Sequence, residues 1–306
     1  MSTIITAQGI SKWFGEVVAL NDVNVEISTG VTGLLGANGA GKSTFIKLAL
    51  GLYRPSRGSL SVFGESPRNN MDVLRRIGYC PETDTFYDNM TGYEYVYWLS
   101  RYWGMSAKHA EKAAEEACDR VRMTERMDDP IEEYSKGMRQ RIKIAQALAT
   151  DPDLLFLDEP MAGLDPQGRE EMFSLIQELG DNGYSVIVSS HILYEVERVT
   201  DNVVLLFQGS VMAHGKVREI RSLIDSHPHT IHVDCNATRA LAAHFIHDPA
   251  VLNLDFEGDT RLVIRTKDPN ACYASLNEVA LKPEFEVTRI HCADDNLQAV
   301  FDYLVK

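Results

Sequence analysis

A glycine-rich segment with one lysine, GANGAGKS at residues 36–43, has the residue types and spacing that hold phosphate groups. It matches G-x-x-x-x-G-K-[ST] and stands between the apolar segment VTGLL and the helical pattern STFIKLALGL, which is the context that this chemistry requires. Glycines let consecutive backbone N–H groups point into one ring at the positive end of the following helix. Lys42 can then reach the terminal phosphates, and the Ser43 hydroxyl can ligate Mg2+. The segment predicts a phosphate cradle, the name used below for residues 36–44.

Two acidic residues end a second apolar segment, LLFLDEP at residues 154–160. Asp158 is placed to hold Mg2+ through water, and Glu159 can polarise an attacking water molecule. A helix cap is the alternative interpretation of such a pair, but its combination with the cradle favours catalysis. His191 directly follows YSVIVSS. A histidine there is either an ordinary surface or core residue or, because open α/β sheets bind ligands at the carboxyl ends of their strands, part of the site.

The elements that must position these residues follow the alternation of an α/β fold with a mainly parallel sheet. The chain has 306 residues, which is enough for two domains of roughly 150 residues each. The segments LLFL and SVIVS are apolar throughout, as is typical of strands that are covered on both faces. The predicted core strands are residues 33–35, 154–157, 185–189 and 203–207.

Three other regions complete the predicted organisation. The first thirty residues alternate more openly, which favours an antiparallel β layer at the edge of the core. Within residues 83–135, TGYEYVYWLSRYWG and SAKHAEKAAEEACDRVRM have the periodicity of amphipathic helices and predict a helical subdomain of a first domain at 1–217. Residues 218–306 predict a ferredoxin-like βαββαβ domain plus one helix. Its predicted strands are 230–235, 251–257, 261–266 and 284–291, and its predicted helices are 237–247, 270–281 and 294–305.

The composition, 44% hydrophobic and 24% charged, is that of an ordinary globular protein. No segment approaches the roughly 18 uncharged apolar residues of a membrane helix, and the start has no signal-peptide pattern, so we expect a cytoplasmic protein. Five dispersed cysteines without a CxxC pair predict neither a disulfide framework nor a zinc site. The net charge of −14 opposes attraction to nucleic acids, which are not expected partners. SHPHTIH fits no firm metal-ligand spacing and favours a solvated connection, with metal binding by His227, His229 and His232 as the alternative.

A second anion-binding pattern, YSKGMRQR at residues 134–141, precedes the acidic strand. The Ser135 hydroxyl and the backbone N–H groups that open the following helix can hold an anion. With the cradle and the acidic strand, the segment resembles the LSGGQ signature of the nucleotide-binding subunits of ATP-binding cassette (ABC) transporters. This resemblance covers about residues 3–215 and includes Ser135 and Gly137, while Tyr134, Lys136 and Met138 depart from the signature. The sequence SKGM is similar to the signature motif of subunits that work with separately encoded export permeases.

The resemblance implies an ATPase that uses ATP and Mg2+. Two subunits, as a homodimer or a heterodimer, would join head to tail, so that ATP lies between the cradle of one and the signature serine of the other. Asp165 in MAGLDP would meet the opposite subunit, and before Pro166 it also predicts a helix N-cap. The residue patterns and the resemblance together assign catalytic roles to Lys42, Glu159 and His191, and metal-binding roles to Ser43, Asp158 and Glu82. The expected ATP-binding residues are Phe14 (with Trp13 as a substitute), Gly36, Asn38, Gly39, Ala40, Gly41, Lys42, Ser43, Thr44, Ser135, Gly137 and Asp165.

The resemblance also implies a membrane partner. IGYCPE matches the loop between core and helical subdomain, but it ends in Glu82 where the family has glutamine, which adds a negative charge near the phosphates. The aromatic helix pattern that follows either packs in the core or lines the groove for a permease helix. The expected function is an ATPase motor for a separate permease, with export favoured, at the inner face of the cell membrane. The alternatives are a soluble ABC-type ATPase that acts on ribosomes or DNA, and a phosphate-loop kinase or GTPase, which YSKGM and the missing NKxD disfavour.

Overall fold

The computed structural model describes residues 2–87, 89–222, 229–280, 282 and 285–292. The chain divides into two compact units, Met1–Lys216 and Val217–Lys306. The helix predicted at 294–305 lies outside the described residues.

A six-stranded sheet forms the centre of the first unit. Its strands are β3 (Val31–Leu35), β5 (Ile77–Cys80), β6 (Leu154–Leu157), β7 (Ser185–Ser190), β8 (Asn202–Phe207) and β9 (Ser210–Lys216). They lie in the order β5-β6-β7-β3-β8-β9, parallel except that β9 runs antiparallel to β8. The predicted parallel α/β sheet is therefore confirmed, and the carboxyl ends of β3, β6 and β7 lie side by side.

The central sheet is buried on both faces, which explains the apolar character of its strands. In β6, Leu154 and Phe156 pack into one hydrophobic cluster, and Leu155 and Leu157 pack into another. The first cluster lies against the antiparallel layer, and the second contains side chains of the helical segments. A strand between two apolar layers needs no polar alternation.

The predicted antiparallel layer is confirmed as a three-stranded sheet of order β2-β1-β4. Its strands are β1 (Thr3–Phe14), β2 (Val17–Ser28) and β4 (Arg57–Val62). The expectation of a loop for IGYCPE was wrong at Ile77–Cys80, which form β5 because they pair with β6. The sequence also did not indicate β4 or β9. Both strands are largely exposed or half-buried, so their side chains are too mixed to show a clear alternation.

The helices of the first unit surround this framework. Those of the predicted helical region have clear N-terminal signals: Thr91 and Glu94 form a capping box, and Ser106 accepts a hydrogen bond from the His109 N–H. The helices are α1 (Lys42–Ala49), α2 (Met71–Leu74), α3 (Gly92–Tyr102), α4 (Ala107–Arg120), α5 (Lys136–Leu148), α6 (Pro166–Asp181) and α7 (Leu193–Glu197), with a 3-10 turn at Ile131–Glu133.

The second unit begins with α8 (Val217–Ser222) and contains an antiparallel sheet of order β11-β12-β10-β13. Its elements are β10 (His229–Cys235), α9 (Thr238–Phe245), β11 (Val251–Glu257), β12 (Arg261–Thr266), α10 (Pro269–Ala280) and β13 (Val287–Cys292). From β10 to β13 this is the βαββαβ order of ferredoxin-like folds. The interpretation of SHPHTIH as a solvated connection was wrong for His229, which begins β10. His232 lies in β10, as the predicted strand 230–235 requires, and His227 lies outside the described residues.

Candidate active site

The backbone of the phosphate cradle turns sharply between β3 and α1. Gly39 and Gly41 have φ angles of +82° and +108°, which side chains disfavour. A Cβ atom at Gly36 would lie 2.5 Å from the Leu206 carbonyl oxygen, and one at Gly41 would lie 2.7 Å from the Ala19 carbonyl oxygen. The fold therefore requires glycine at both ends of the turn, and α1 starts directly after it, with its free N–H groups at the cradle.

Three predicted catalytic residues form one chain of contacts. Lys42 is only 6% exposed, and its Nζ donates a hydrogen bond of 2.7 Å to the Gly36 carbonyl oxygen. The same Nζ lies 3.0 Å from Glu159 Oε1, and Glu159 Oε2 lies 2.8 Å from His191 Nδ1. The lysine from the cradle, the acid after β6 and the histidine after β7 thus meet at one edge of the sheet.

Glu159 is held in an unusual backbone conformation, with φ at +50°. Its N–H donates a 2.8 Å hydrogen bond to Ser189 Oγ, and the Ser189 hydroxyl donates a 2.6 Å hydrogen bond to Asp158 Oδ1. Glu159 Oε1 is buried and accepts no hydrogen bond within the described residues, although it is close to Lys42 Nζ. One serine therefore fixes both acids, and Glu159 keeps an oxygen that can accept a proton.

Sequence reasoning missed Ser189. The available signal was the pair of serines that ends the strand SVIVSS, after three apolar residues. Both serines are fully buried, and buried hydroxyl groups require hydrogen-bond partners.

The segment that carries Glu82 lies next to the acidic strand. The Asp158 N–H donates a 2.9 Å hydrogen bond to the carbonyl oxygen of Cys80, two residues before Glu82. Burial, together with the charges of Asp158, Cys80 and Glu82, raises the pKa of Tyr79 to about 12. Glu82 is exposed, and its negative charge acts on the Tyr79 hydroxyl together with that of Asp158.

Phe14 lies at the end of the β1–β2 ladder, opposite Val17. It is 42% exposed, and its ring contacts the Tyr53 ring edge to face, with 5.2 Å between centroids. Lys12 Nζ lies 4.8 Å from the centre of the Phe14 ring. The Phe14 ring is therefore more accessible than a core aromatic ring.

Ser135, Gly137 and Asp165 line a separate cleft of about 750 Å³, and none of residues 36–44 lines it. Ser135 caps α5 by accepting a 3.3 Å hydrogen bond from the Met138 N–H. Asp165 caps α6 by accepting a 2.9 Å hydrogen bond from the Gly168 N–H, which confirms the predicted N-cap. The signature residues and the cradle thus form two different surfaces of this chain.

The residues present fit a nucleoside triphosphate with Mg2+. The ring of glycines admits phosphate oxygens close to the backbone, and Lys42 supplies a cation. Ser43 and Asp158 offer oxygen ligands, which Mg2+ prefers. Within the described part of the chain, no group of three or more His, Cys, Asp or Glu residues can hold a metal by itself.

Comparisons with known proteins place this arrangement in a family. Residues 20–162 match the family model described as ABC transporter. The chain is 32% identical over 311 residues to the bacitracin transport ATP-binding protein BcrA of Bacillus licheniformis, and the alignment covers 100% of this chain and 97% of that protein. The chain belongs to the ABC transporter ATP-binding proteins.

Two further comparisons agree with this assignment. The Nod factor export ATP-binding protein I of Cupriavidus metallidurans is 33% identical over 228 residues to this ABC protein, with 74% of each chain covered. A solved structure of an ATP-binding subunit of an ABC transporter has a TM-score of 0.64 at 31% identity, covering 72% of this chain and 93% of that one.

This ABC protein is therefore an ATPase that binds ATP and acts as the motor subunit of a transporter. The same comparisons favour the transporter motor over the alternative of an ATPase that acts on ribosomes or DNA. Among the helices that the structure describes, none has the length and apolar character needed to cross a bilayer.

Proposed function

We propose that this ABC ATPase drives export through a separate membrane-spanning subunit, at the inner face of the cell membrane, and that two ATPase subunits close on ATP head to tail. The observation that carries the proposal is the contact chain from Lys42 through Glu159 to His191 at the carboxyl edge of the sheet. Export of Nod factor, named for one of the relatives, supports the export direction.

In the proposed reaction, the backbone N–H groups of the cradle and Lys42 bind the phosphates. Glu159 Oε1 accepts a proton from the attacking water, the oxygen of which bonds to the terminal phosphorus while the bond to the ADP oxygen breaks. His191 holds the opposite carboxylate oxygen, Oε2, and so orients Glu159. Mg2+, when bound, supplies charge neutralisation on the phosphates. Ser43 and Asp158 would hold it, with Glu82 as a further oxygen ligand.

The separate cleft supports a two-subunit site. Ser135 uses its oxygen to cap α5 and keeps its O–H proton as a donor, and the N-terminus of this 13-residue helix favours an anion. Because residues 36–44 do not line the cleft, the phosphates that it binds would be held by the cradle of a second subunit. Asp165 stands in the same cleft and would face that subunit.

The exposed aromatic residues of α3 support a docking site for the membrane subunit. Tyr95 is 7% exposed and packs in the core, whereas Trp98 and Tyr102 are 48% and 85% exposed. Trp103, just after α3, is 37% exposed. Aromatic side chains of this size are enriched at protein interfaces, so this face would receive a segment of the membrane subunit.

The experiment that tests the two-subunit site compares Glu159→Gln with the wild type by ATPase assay and by light scattering after gel filtration in Mg-ATP. We expect Glu159→Gln to bind ATP, to lose turnover by about 10³-fold or more, and to accumulate as a dimer. Glu159→Gln combined with Ser135→Ala is the control that should dimerise less. Retained steady-state hydrolysis would remove Glu159 from the base role. A Glu159→Gln chain that stays monomeric in saturating Mg-ATP, with its membrane subunit also supplied, would refute the two-subunit site.

A further inference from the structure

Lys143 is a buried cation that the proposed reaction does not use. It lies in the middle of α5, between Ile142 and Ile144, and it is only 2% exposed. An unpaired ammonium group in such a place would be strongly destabilising, because burial removes its hydration. Its contacts therefore indicate what it stabilises.

All the contacts described for the Lys143 ammonium group go to one short segment. Its Nζ donates hydrogen bonds to the carbonyl oxygens of Pro81, at 3.0 Å, and Glu82, at 3.1 Å. It also lies 2.8 Å from Asp84 Oδ1. The three N–H donors of a lysine are thus matched by three oxygens of residues 81–84.

Three of the four residues of this segment are exposed, and the segment carries excess negative charge. Glu82 and Asp84 are both exposed, and the segment lies beside Asp158 through the hydrogen bond from Asp158 N–H to the Cys80 carbonyl oxygen. The ammonium group of Lys143 neutralises one acid and holds two carbonyl groups, so it fixes the backbone that carries Glu82.

The same helix begins at the signature serine. α5 runs from Lys136 to Leu148, with Ser135 as its N-cap, and a second side chain of this helix, Gln140, donates from Nε2 to Cys80 Sγ at 3.4 Å. A Cβ at Gly78 would lie 2.3 Å from the Ala147 carbonyl oxygen, so β5 packs directly on the helix backbone. The Ser135 surface and the Glu82 segment are thus attached to one rigid element.

We propose that Lys143 is a positioning residue for ATP hydrolysis, which fixes Glu82 relative to Ser135 by anchoring residues 81–84 to α5. The inference rests on the proposed roles of Glu82 and Ser135. Its consequence is that the Glu82 segment and the signature surface move together when the ATPase subunits close. A methionine at this position keeps the length and apolar stem of the side chain but lacks the donors.

The test uses the full chain with Lys143→Met and, as a matched control, Lys112→Met, which removes an exposed lysine from α4. We expect backbone hydrogen exchange of residues 82–87 to become about tenfold faster in Lys143→Met, because the bonds that restrain the segment are lost. We also expect kcat for Mg-ATP to fall about tenfold, with KM changed by less than about twofold, because the cradle is untouched. Neither quantity should change in Lys112→Met.

Unchanged exchange of residues 82–87, or equal changes in kcat and KM, would overturn the proposal. Asp84→Asn provides an independent test, because it leaves Lys143 in place and weakens only the ion pair, so its effects should have the same direction and be smaller. The exchange measurement needs no turnover. Wild-type hydrolysis and its loss in Glu159→Gln report separately on the proposed function, so a failure of either proposal can be recognised by itself.

Discussion

Replacement of Ser189 by alanine should damage both the stability and the turnover of this ABC ATPase. The Ser189 hydroxyl is fully buried, donates at 2.6 Å to the Asp158 carboxylate and accepts at 2.8 Å from the Glu159 N–H. A hydrogen bond to a charged group contributes about 1.5–3 kcal/mol, and a buried N–H without an acceptor costs about 1–3 kcal/mol. We therefore expect the free energy of unfolding to fall by about 3 kcal/mol.

The adjacent serine provides a closely matched control. Ser190 is also fully buried, donates at 2.6 Å to the Glu195 carboxylate and accepts at 3.0 Å from the Ile192 N–H. Ser190→Ala should lower the free energy of unfolding by a similar amount, since the bonds lost are of the same kind. Glu195 does not belong to the proposed catalytic residues. Only Ser189→Ala should then lower kcat, by about 10- to 100-fold, the usual effect of removing a group that orients a metal ligand.

Urea unfolding followed by tryptophan fluorescence measures the stability, because Trp13, Trp98 and Trp103 all lie in the first unit. Steady-state ATPase assays at low temperature, corrected for the folded fraction, measure kcat. Equal losses of kcat in Ser189→Ala and Ser190→Ala would refute the positioning role of Ser189. A loss of stability below about 0.5 kcal/mol in Ser189→Ala would refute the hydrogen-bond reasoning.

Three other outcomes follow from the site. Lys42→Ala should weaken ATP binding by about tenfold or more, since it removes the buried cation of the cradle, and an unchanged affinity in nucleotide titration would contradict that role. Ser135→Ala should lower kcat by about tenfold or more while the ATP affinity of the monomer changes less than about twofold, and parallel losses would place Ser135 with the cradle instead. Burial raises the pKa of Cys80 to about 12, so at pH 8 the thiol is almost entirely protonated. Mass-spectrometric mapping should therefore show Cys80 alkylated about a hundredfold more slowly in the folded chain than in guanidinium, and equal rates would contradict its burial.

Local features that are encoded in consecutive residues could be predicted from the sequence. The phosphate cradle is such a feature, because glycines at fixed spacing and the start of a helix are sufficient to define it. The N-cap at Asp165 and the strand LLFL are others, since capping and burial on both faces leave signals in a few neighbouring positions. The exposed strands β4 and β9 left no such signal and appeared only through their pairing with β1 and β8.

The order of the strands and the contacts that depend on it were decided by the tertiary structure. Lys42 meets Glu159, and Glu159 meets Ser189, because β3, β7 and β6 are neighbours in a sheet that the chain does not visit in that order. The single lysine in the segment IKIA did not indicate that its ammonium group, that of Lys143, contacts three oxygens of residues 81–84. The sequence by itself determined which groups can bind a phosphate or move a proton. Folding determined their partners, because pairing across the sheet brings together side chains that are far apart along the chain.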